Sequence, residues 1–276
     1  MVTFRPLIAP LFVPATRSDR FRKAADSGAD AIIVDLEDAV PAAEKERARD
    51  ALADGALDSL SVPVFLRINH WTTSWHDNDL AAACGLPVAG IMLPKTESAN
   101  DLARIARSLG PDVPVIALVE TAIGVANMRQ IATASNLAQI AFGSVDFALD
   151  LAAAHERESL AFARSQIVLY SRVYGLPAPL DGVTLATGDH ETLASDSTYA
   201  AALGFGGKLA IHPAQISAIR TAFRPSPHEV DWANDVLAAE RAAGGVATQL
   251  DGEMIDAPIS ERARRVLAKA KRSSGE

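Results

Sequence analysis

The chain has 276 residues, of which 49% are apolar and 22% charged, with a formal net charge of −8. That length suits one α/β barrel of about 250 residues, or two smaller domains, and can bury a large core without covalent staples. The acidic balance excludes a nucleic-acid groove, which needs a basic face, but allows an anionic ligand in a locally positive site.

Short apolar runs occupy residues 7–14, 31–36, 62–68, 88–93, 113–119, 137–142, 180–185 and 208–211. They are continuous rather than alternating, as expected of strands buried on both faces. Helical patterns fall at 20–27, 42–53, 97–109, 124–133, 156–174 and 191–203. The second of these is expected to present Glu44, Lys45, Glu46, Arg47 and Arg49 to solvent. Cys84, the only cysteine, is expected on the apolar face of a helix. One cysteine excludes an intrachain disulfide and a thiolate zinc site. Strand and helix alternating eight times predict a (β/α)8 TIM barrel, with a doubly wound open sheet as the competitor.

Beyond His212-Pro213 the pattern changes. Helices are expected at 214–222, 228–243 and 259–271, the last capped by Ser260, with a loop or short hairpin at 244–252. The expected division is a catalytic barrel over 1–223 and a C-terminal helical arm or lid over 224–276. Pro6, Pro10 and Pro14 interrupt any basic-then-apolar leader pattern. No apolar run reaches the roughly 18 residues of a membrane span. The expectation is a cytoplasmic protein with no membrane or nucleic-acid partner.

The strand ends carry the chemistry. At or just after them stand Arg17, then Asp35, Glu37 and Asp38, then Arg67 and Asn69, then Lys95, Glu120, Asp146, Asp189 and His212. The strand starts are bland. In a barrel the active site lies at the C-terminal ends of the strands, so these groups should converge on one mouth. Glu120 and Asp146 end consecutive strands, with small residues (Gly124, Gly143, Ser144) leaving room beside them. A carboxylate pair with open positions suits a hard cation such as Mg²⁺, with Mn²⁺ as the alternative.

Arg67 lies between large apolar residues, and an unpaired buried guanidinium is costly. It either bridges to Asp35, Glu37 or Asp38, or holds a substrate oxygen with its planar fork; the second reading is preferred. Crowding of Asp35, Glu37 and Asp38 raises some of their pKa values or requires cations. Lys95 is the expected partner for these acids. Arg17, Asn69, Lys95, Ala122 and Gly143 are expected to line the substrate. His212 reads as structural. The glycine-rich stretch 204–208 precedes a strand rather than a helix, so a phosphate cradle there is disfavoured.

Together these stretches resemble the citrate lyase β-subunit-like enzymes of the HpcH/HpaI aldolase superfamily. The resemblance rests on Leu11-Phe12-Val13-Pro14, Asp35-Leu36-Glu37-Asp38-Ala39-Val40, Arg67-Ile68-Asn69, Gly90-Ile91-Met92-Leu93-Pro94-Lys95, Glu120-Thr121-Ala122, Phe142-Gly143-Ser144-Val145-Asp146 and Ile211-His212-Pro213. It implies a Mg²⁺-binding barrel that makes or breaks a carbon–carbon bond beside a CoA thioester. Glu120 and Asp146 would be the metal ligands, Arg67 the contact to substrate and nascent enolate, and Glu37 and Asp38 the acids near the metal. Met254-Ile255-Asp256 matches a motif by which relatives cover a neighbouring subunit's site, so Asp256 would act there in acid–base chemistry. Homotrimers or multiples of three are implied. Ala152 stands where the family usually has glycine. The expected reaction is cleavage of a malyl-CoA or citramalyl-CoA type substrate to a 2-keto acid and acetyl-CoA. A pyruvate-type aldolase on free acids and an acyl-carrier-binding accessory subunit are the alternatives.

Overall fold

The computed structural model describes residues 4–244, 247–250 and 252–274. Eight parallel strands pair in sequence order: β1 (Leu11–Pro14), β2 (Ile32–Asp35), β3 (Val64–Arg67), β4 (Gly90–Leu93), β5 (Val115–Val119), β6 (Leu137–Phe142), β7 (Leu180–Asp181) and β8 (Gly207–Lys208). The sheet curls until its edges meet. Leu11 bridges Ala210 in parallel. The Lys208 and Ala210 amides donate to the carbonyls of Ile8 and Pro10, at 2.8 and 3.0 Å. This is an α/β fold consistent with the TIM-barrel expectation, and the sequential strand order is not that of a doubly wound sheet.

Seven predicted runs contain a strand, and the eighth, 208–211, shares only Lys208 with β8; most strands are shorter than the run. Gly182 passes so close to Ser144 that a Cβ there would collide with the serine side chain. Inside the sheet Ala31, Ile33, Phe65, Met92, Ile116, Leu118, Ala141 and Leu180 form one buried cluster. Residues on one face of each strand supply it, following the two-residue period of the pleat.

The connecting helices are α1 (Phe21–Ala25), α2 (Lys45–Ala51), α3 (His76–Ala83), α4 (Ala99–Leu109), α5 (Ala122–Ala126), α6 (Met128–Ile131), α7 (Ser144–Asp150), α8 (Arg157–Val173), α9 (His190–Leu203) and α10 (Ile216–Phe223). α4 starts from a capping box in which Ser98 and Asp101 satisfy each other's backbone amides. α3 and α7 were not predicted as helices in their own right. Two residues after α7 stands Ala152, a non-glycine residue at φ 52°. A glycine would suit that left-handed backbone, which alanine adopts at a cost. Cys84 is exposed at the end of α3, not on an apolar face.

By contacts the chain divides into residues 1–220 and 221–276. The second unit contains α11 (Pro227–Ala242), an antiparallel pair β9 (Thr248–Leu250) and β10 (Glu253–Ile255), and α12 (Ala257–Ser274). Ala233, Val236, Ile255 and Ala263 form its core, and Arg264 pairs with Glu240 at 2.7 Å. The expected hairpin includes Gly245, Val246 and Asp251, which lie outside the described residues. α12 starts two residues earlier than predicted. Asp256 rather than Ser260 caps it, its Oδ1 accepting the Ile259 amide at 3.2 Å.

Candidate active site

Four adjacent strand ends and the start of α7 deliver one cluster of charges. Asp35 ends β2, and Glu37 and Asp38 follow it. Arg67 ends β3, Lys95 follows β4, and Glu120 is the first residue after β5. Asp146 is not at a strand end as expected. β6 stops at Phe142, and Asp146 lies in the first turn of α7.

Glu120 is the centre of the cluster and only 1% exposed. Its Oε1 accepts the backbone N–H of Lys95 at 2.8 Å. Lys95 presents that amide because its backbone is left-handed, φ 48°. Gly143 lies against the other side, where a Cβ would collide with Glu120 Oε2 and Cβ. The missing side chain at 143 therefore makes the space in which the carboxylate sits. Burial pushes the Glu120 pKa up to about 8, helped by the charges of Asp146 and Glu37 and opposed by Arg67 and Lys95. A carboxyl so placed is deficient in positive charge, and a cation would supply it.

Glu37 is also buried, and burial raises its pKa against the pull of Arg67 and Lys95. Its Oε1 accepts from Lys95 Nζ at 2.7 Å. Its Oε2 faces Arg67 Nη1 at 3.2 Å but has no hydrogen bond. Lys95 is thus the partner of the acids, and despite its partial burial the Glu37 contact holds its pKa above the ordinary lysine value.

Arg67 makes the bridge to Asp35 that was one of its two expected roles. Its Nε and Nη2 grip both oxygens of Asp35, at 2.7 and 2.5 Å, and its guanidinium stacks 4.7 Å from the Phe12 ring. Burial opposes its charge, but Asp35 above all, then Glu37 and Asp38, hold its pKa above the usual arginine value. The bidentate edge of the fork is therefore occupied by protein. Only the Nη1 side faces Glu37 and Asp38.

Four other expected substrate contacts have internal partners. Asn69 is buried, its amide donating to Leu36 O and Asp79 Oδ2 at 3.0 and 2.6 Å. Its side chain braces the strand ends. Arg17 is exposed and forms a 2.8 Å pair with Asp19. The Ala122 amide donates to Asp150 Oδ2 at 2.7 Å, and the Gly143 amide donates to Val119 O at 2.9 Å. His212 caps the turn that follows it, Nδ1 accepting from Ala214 N–H at 3.2 Å. Asp256 belongs to the second unit.

Two residues of the site escaped the sequence reading. Lys45, expected on a solvated face, is 5% exposed. Its Nζ donates to the Leu36 and Glu37 carbonyls at 2.7 and 2.8 Å, pinning the backbone that carries Glu37. Its place in a run of charges disguised it. His70 is buried with Nδ1 2.9 Å from Thr72 Oγ1 and Nε2 unpartnered. Its position directly after Asn69, at a strand end, was the available signal.

Among the described residues no three or more histidine, cysteine, aspartate or glutamate side chains form a ready metal cage. Glu120 and Asp146 offer two carboxylates, leaving other positions to water or substrate oxygens. That donor set is the one Mg²⁺ favours.

The family model for HpcH/HpaI aldolase/citrate lyase matches residues 9–213, and so contains every residue of this cluster. The chain belongs to the HpcH/HpaI aldolase/citrate lyase family. It is 38% identical to a citrate lyase subunit beta-like protein of Mycobacterium tuberculosis over 273 residues, 96% of each chain. It is 36% identical to a (3S)-malyl-CoA thioesterase of Cereibacter sphaeroides, covering 96% of this chain and 95% of that one. Among solved structures it resembles the protein CitE from M. tuberculosis in complex with magnesium, acetoacetate and coenzyme A. There the TM-score is 0.84 at 36% identity, over 96% of this chain and 98% of that one. A citrate lyase beta subunit from the same organism, complexed with oxaloacetate and magnesium, matches with a TM-score of 0.71 at 38% identity, over 79% and 96% of the two chains. As a member of a lyase family, the chain is an enzyme.

Proposed function

We propose that this family member is a Mg²⁺-dependent carbon–carbon lyase acting on a malyl-CoA or citramalyl-CoA type thioester. The observation that carries the reading is the buried Glu120 carboxylate, facing the charge of Asp146 and short of a cation. The magnesium and coenzyme A in the CitE complex support the same ligands here.

Glu120 and Asp146 would hold the ion, which would stabilise charge on the oxygens at the hydroxy-acid end of the substrate. Glu37 and Asp38 are the candidate bases for the substrate hydroxyl proton, and its raised pKa brings Glu37 toward the range a base needs. Loss of that proton forms the new carbonyl. The carbon–carbon bond breaks, and its electron pair passes to the thioester side as an enolate. Arg67 and Lys95 contribute fixed positive charge beside the reacting groups, of the kind that stabilises developing negative charge. Protonation of the enolate carbon, by Asp256 of another subunit, completes acetyl-CoA. The second unit is in this reading an arm over a neighbour's mouth, in a homotrimer or multiple of three.

The thioesterase relatives favour a second outcome at the same site, hydrolysis of the acyl-CoA to free CoA and the hydroxy acid. One assay separates the two. Purified protein with Mg²⁺ is given malyl-CoA and citramalyl-CoA, trapping the keto acid and following free CoA. Keto acid with acetyl-CoA supports the lyase; free CoA without keto acid supports hydrolysis; no turnover of either removes both. For the trans role, inactive Asp256→Ala and Glu120→Gln chains are mixed and reassembled. Subunit exchange without recovered activity would remove that role.

A further inference from the structure

A second polar cavity, of about 400 Å³, opens between α8, α9 and the ends of β7 and β8. None of its lining residues belongs to the cluster around Glu120. Its inner wall holds Arg164 and Lys208, 7% and 2% exposed. Both are paired with one carboxylate, Asp181, through Arg164 Nε at 2.9 Å and Lys208 Nζ at 3.3 Å. Asp181 is itself 1% exposed. Two buried cations share one buried anion, so one positive charge has no counter-ion within the triad. Arg164 Nη1 is buried and has no hydrogen-bond partner. Leaving a guanidinium edge unpaired in a dry wall is costly.

The other charges around the cavity offset that excess in part, because Asp196 feels the charge of Lys208. Asp196 is engaged by Arg157 Nη2 at 2.9 Å and by the Thr184 hydroxyl at 2.9 Å. Glu156 and Glu158 stand on the rim, exposed to solvent. His155 also lines the cavity; its partial burial first, then the charges of Arg164 and Lys208, lower its pKa against the pull of Asp181 and Asp196. Tyr199 contributes a ring stacked 4.9 Å from the Arg157 guanidinium, and Leu160, Val183 and Leu185 add apolar wall.

We propose that this cavity is a second binding site, for the carboxylate of a small organic anion. A carboxylate suits an inner wall that carries Arg164 and Lys208, and could pair with the unpartnered Arg164 Nη1. The apolar wall has room for a short carbon chain.

The test is calorimetric titration of the full chain with sodium acetate, at constant ionic strength and without divalent cations. Acetate should bind the wild type and Glu120→Gln equally. Its affinity should fall about tenfold or more in Arg164→Gln, the scale of losing one charge-assisted hydrogen bond. Leu185 is 58% exposed on the rim, so Leu185→Glu keeps the fold and should weaken acetate by like-charge repulsion. Absence of acetate binding, or binding that survives folded Leu185→Glu and is lost in Glu120→Gln, would overturn the proposal. Inorganic phosphate binding more tightly than acetate would overturn the carboxylate assignment.

Discussion

Lys95 serves Glu120 with its backbone and Glu37 with its side chain. The amide donates to Glu120 Oε1 at 2.8 Å and the ammonium to Glu37 Oε1 at 2.7 Å. One residue after β4 thus fixes the two buried carboxylates on either side of it. Lys95→Met keeps the amide and removes the ammonium. The Glu37 pKa, already raised by burial, then rises further because a contact that lowers it is gone. If Glu37 acts ionised, the acid limb of the pH–rate profile moves to higher pH in Lys95→Met. An unmoved limb takes Glu37 out of the chemistry.

Glu120 makes the metal-free protein sensitive to alkali. Its folded pKa, about 8, lies above the ordinary 4.5. Between those values the native state binds more protons than the unfolded state, so this group's contribution to stability falls as pH rises. The metal-free Tm should decline across that window, and the decline should flatten in Glu120→Gln. Because Mg²⁺ displaces the proton, its affinity should rise with pH over the same range, with protons released to a weak buffer. Affinity independent of pH would place the ion elsewhere.

Gly143→Ala puts a methyl where the Glu120 carboxylate lies. The contact is with a side chain held on its other side by the Lys95 amide, so Glu120 has little freedom to yield. We expect destabilisation of about 1–3 kcal/mol, typical of overpacking, and turnover reduced about a hundredfold by the displaced ligand. Urea melts and kcat measured on the same preparation check both.

Arg67→Lys conserves charge and loses the fork. Lysine cannot reproduce the paired bonds to both Asp35 oxygens. Breaking a buried pair by removing one partner costs about 3–5 kcal/mol, and lysine should fall at the lower end because its charge remains. If stability is unchanged while KM rises, the guanidinium serves the substrate more than Asp35.

Lys45→Met tests a brace away from the reacting groups. It takes one donor from each of the Leu36 and Glu37 carbonyls, which keep the Asn69 amide and the Val40 N–H, at roughly 1.5–3 kcal/mol for a hydrogen bond to a charged group. Amide exchange should quicken over residues 36–38, with kcat lowered more than KM raised. Wild-type exchange rates there would show that the loop holds itself.

The apolar runs at 113–119 and 137–142 are buried on both faces, so their composition alone marked strands. Glu120 was legible because an acid that ends such a run is conspicuous. Lys45 was not, because one inward lysine in a charged helix has the same local pattern as its solvated neighbours. Arg67 was legible as a buried cation, but choosing between Asp35 and a substrate needed three-dimensional register. β2 and β3 align Asp35 opposite Arg67. α7 was hidden because it follows its strand after a single residue, Gly143, and contributes Asp146 from its first turn.

The seam between the first and last strands has a consequence for biosynthesis. Lys208 hydrogen-bonds to Ile8, residues 200 positions apart. A chain emerging from the ribosome makes the Ile8 edge early and keeps it unpaired until almost the whole barrel has been synthesised. Contacts of such sequence separation form late and slowly, and an open parallel edge is a template for association with other chains. Gly207 sits at this seam, where any Cβ would strike the Ile8 backbone. A substitution at Gly207 should therefore appear first as insoluble nascent protein, before any effect on the chemistry at the other end of the strands.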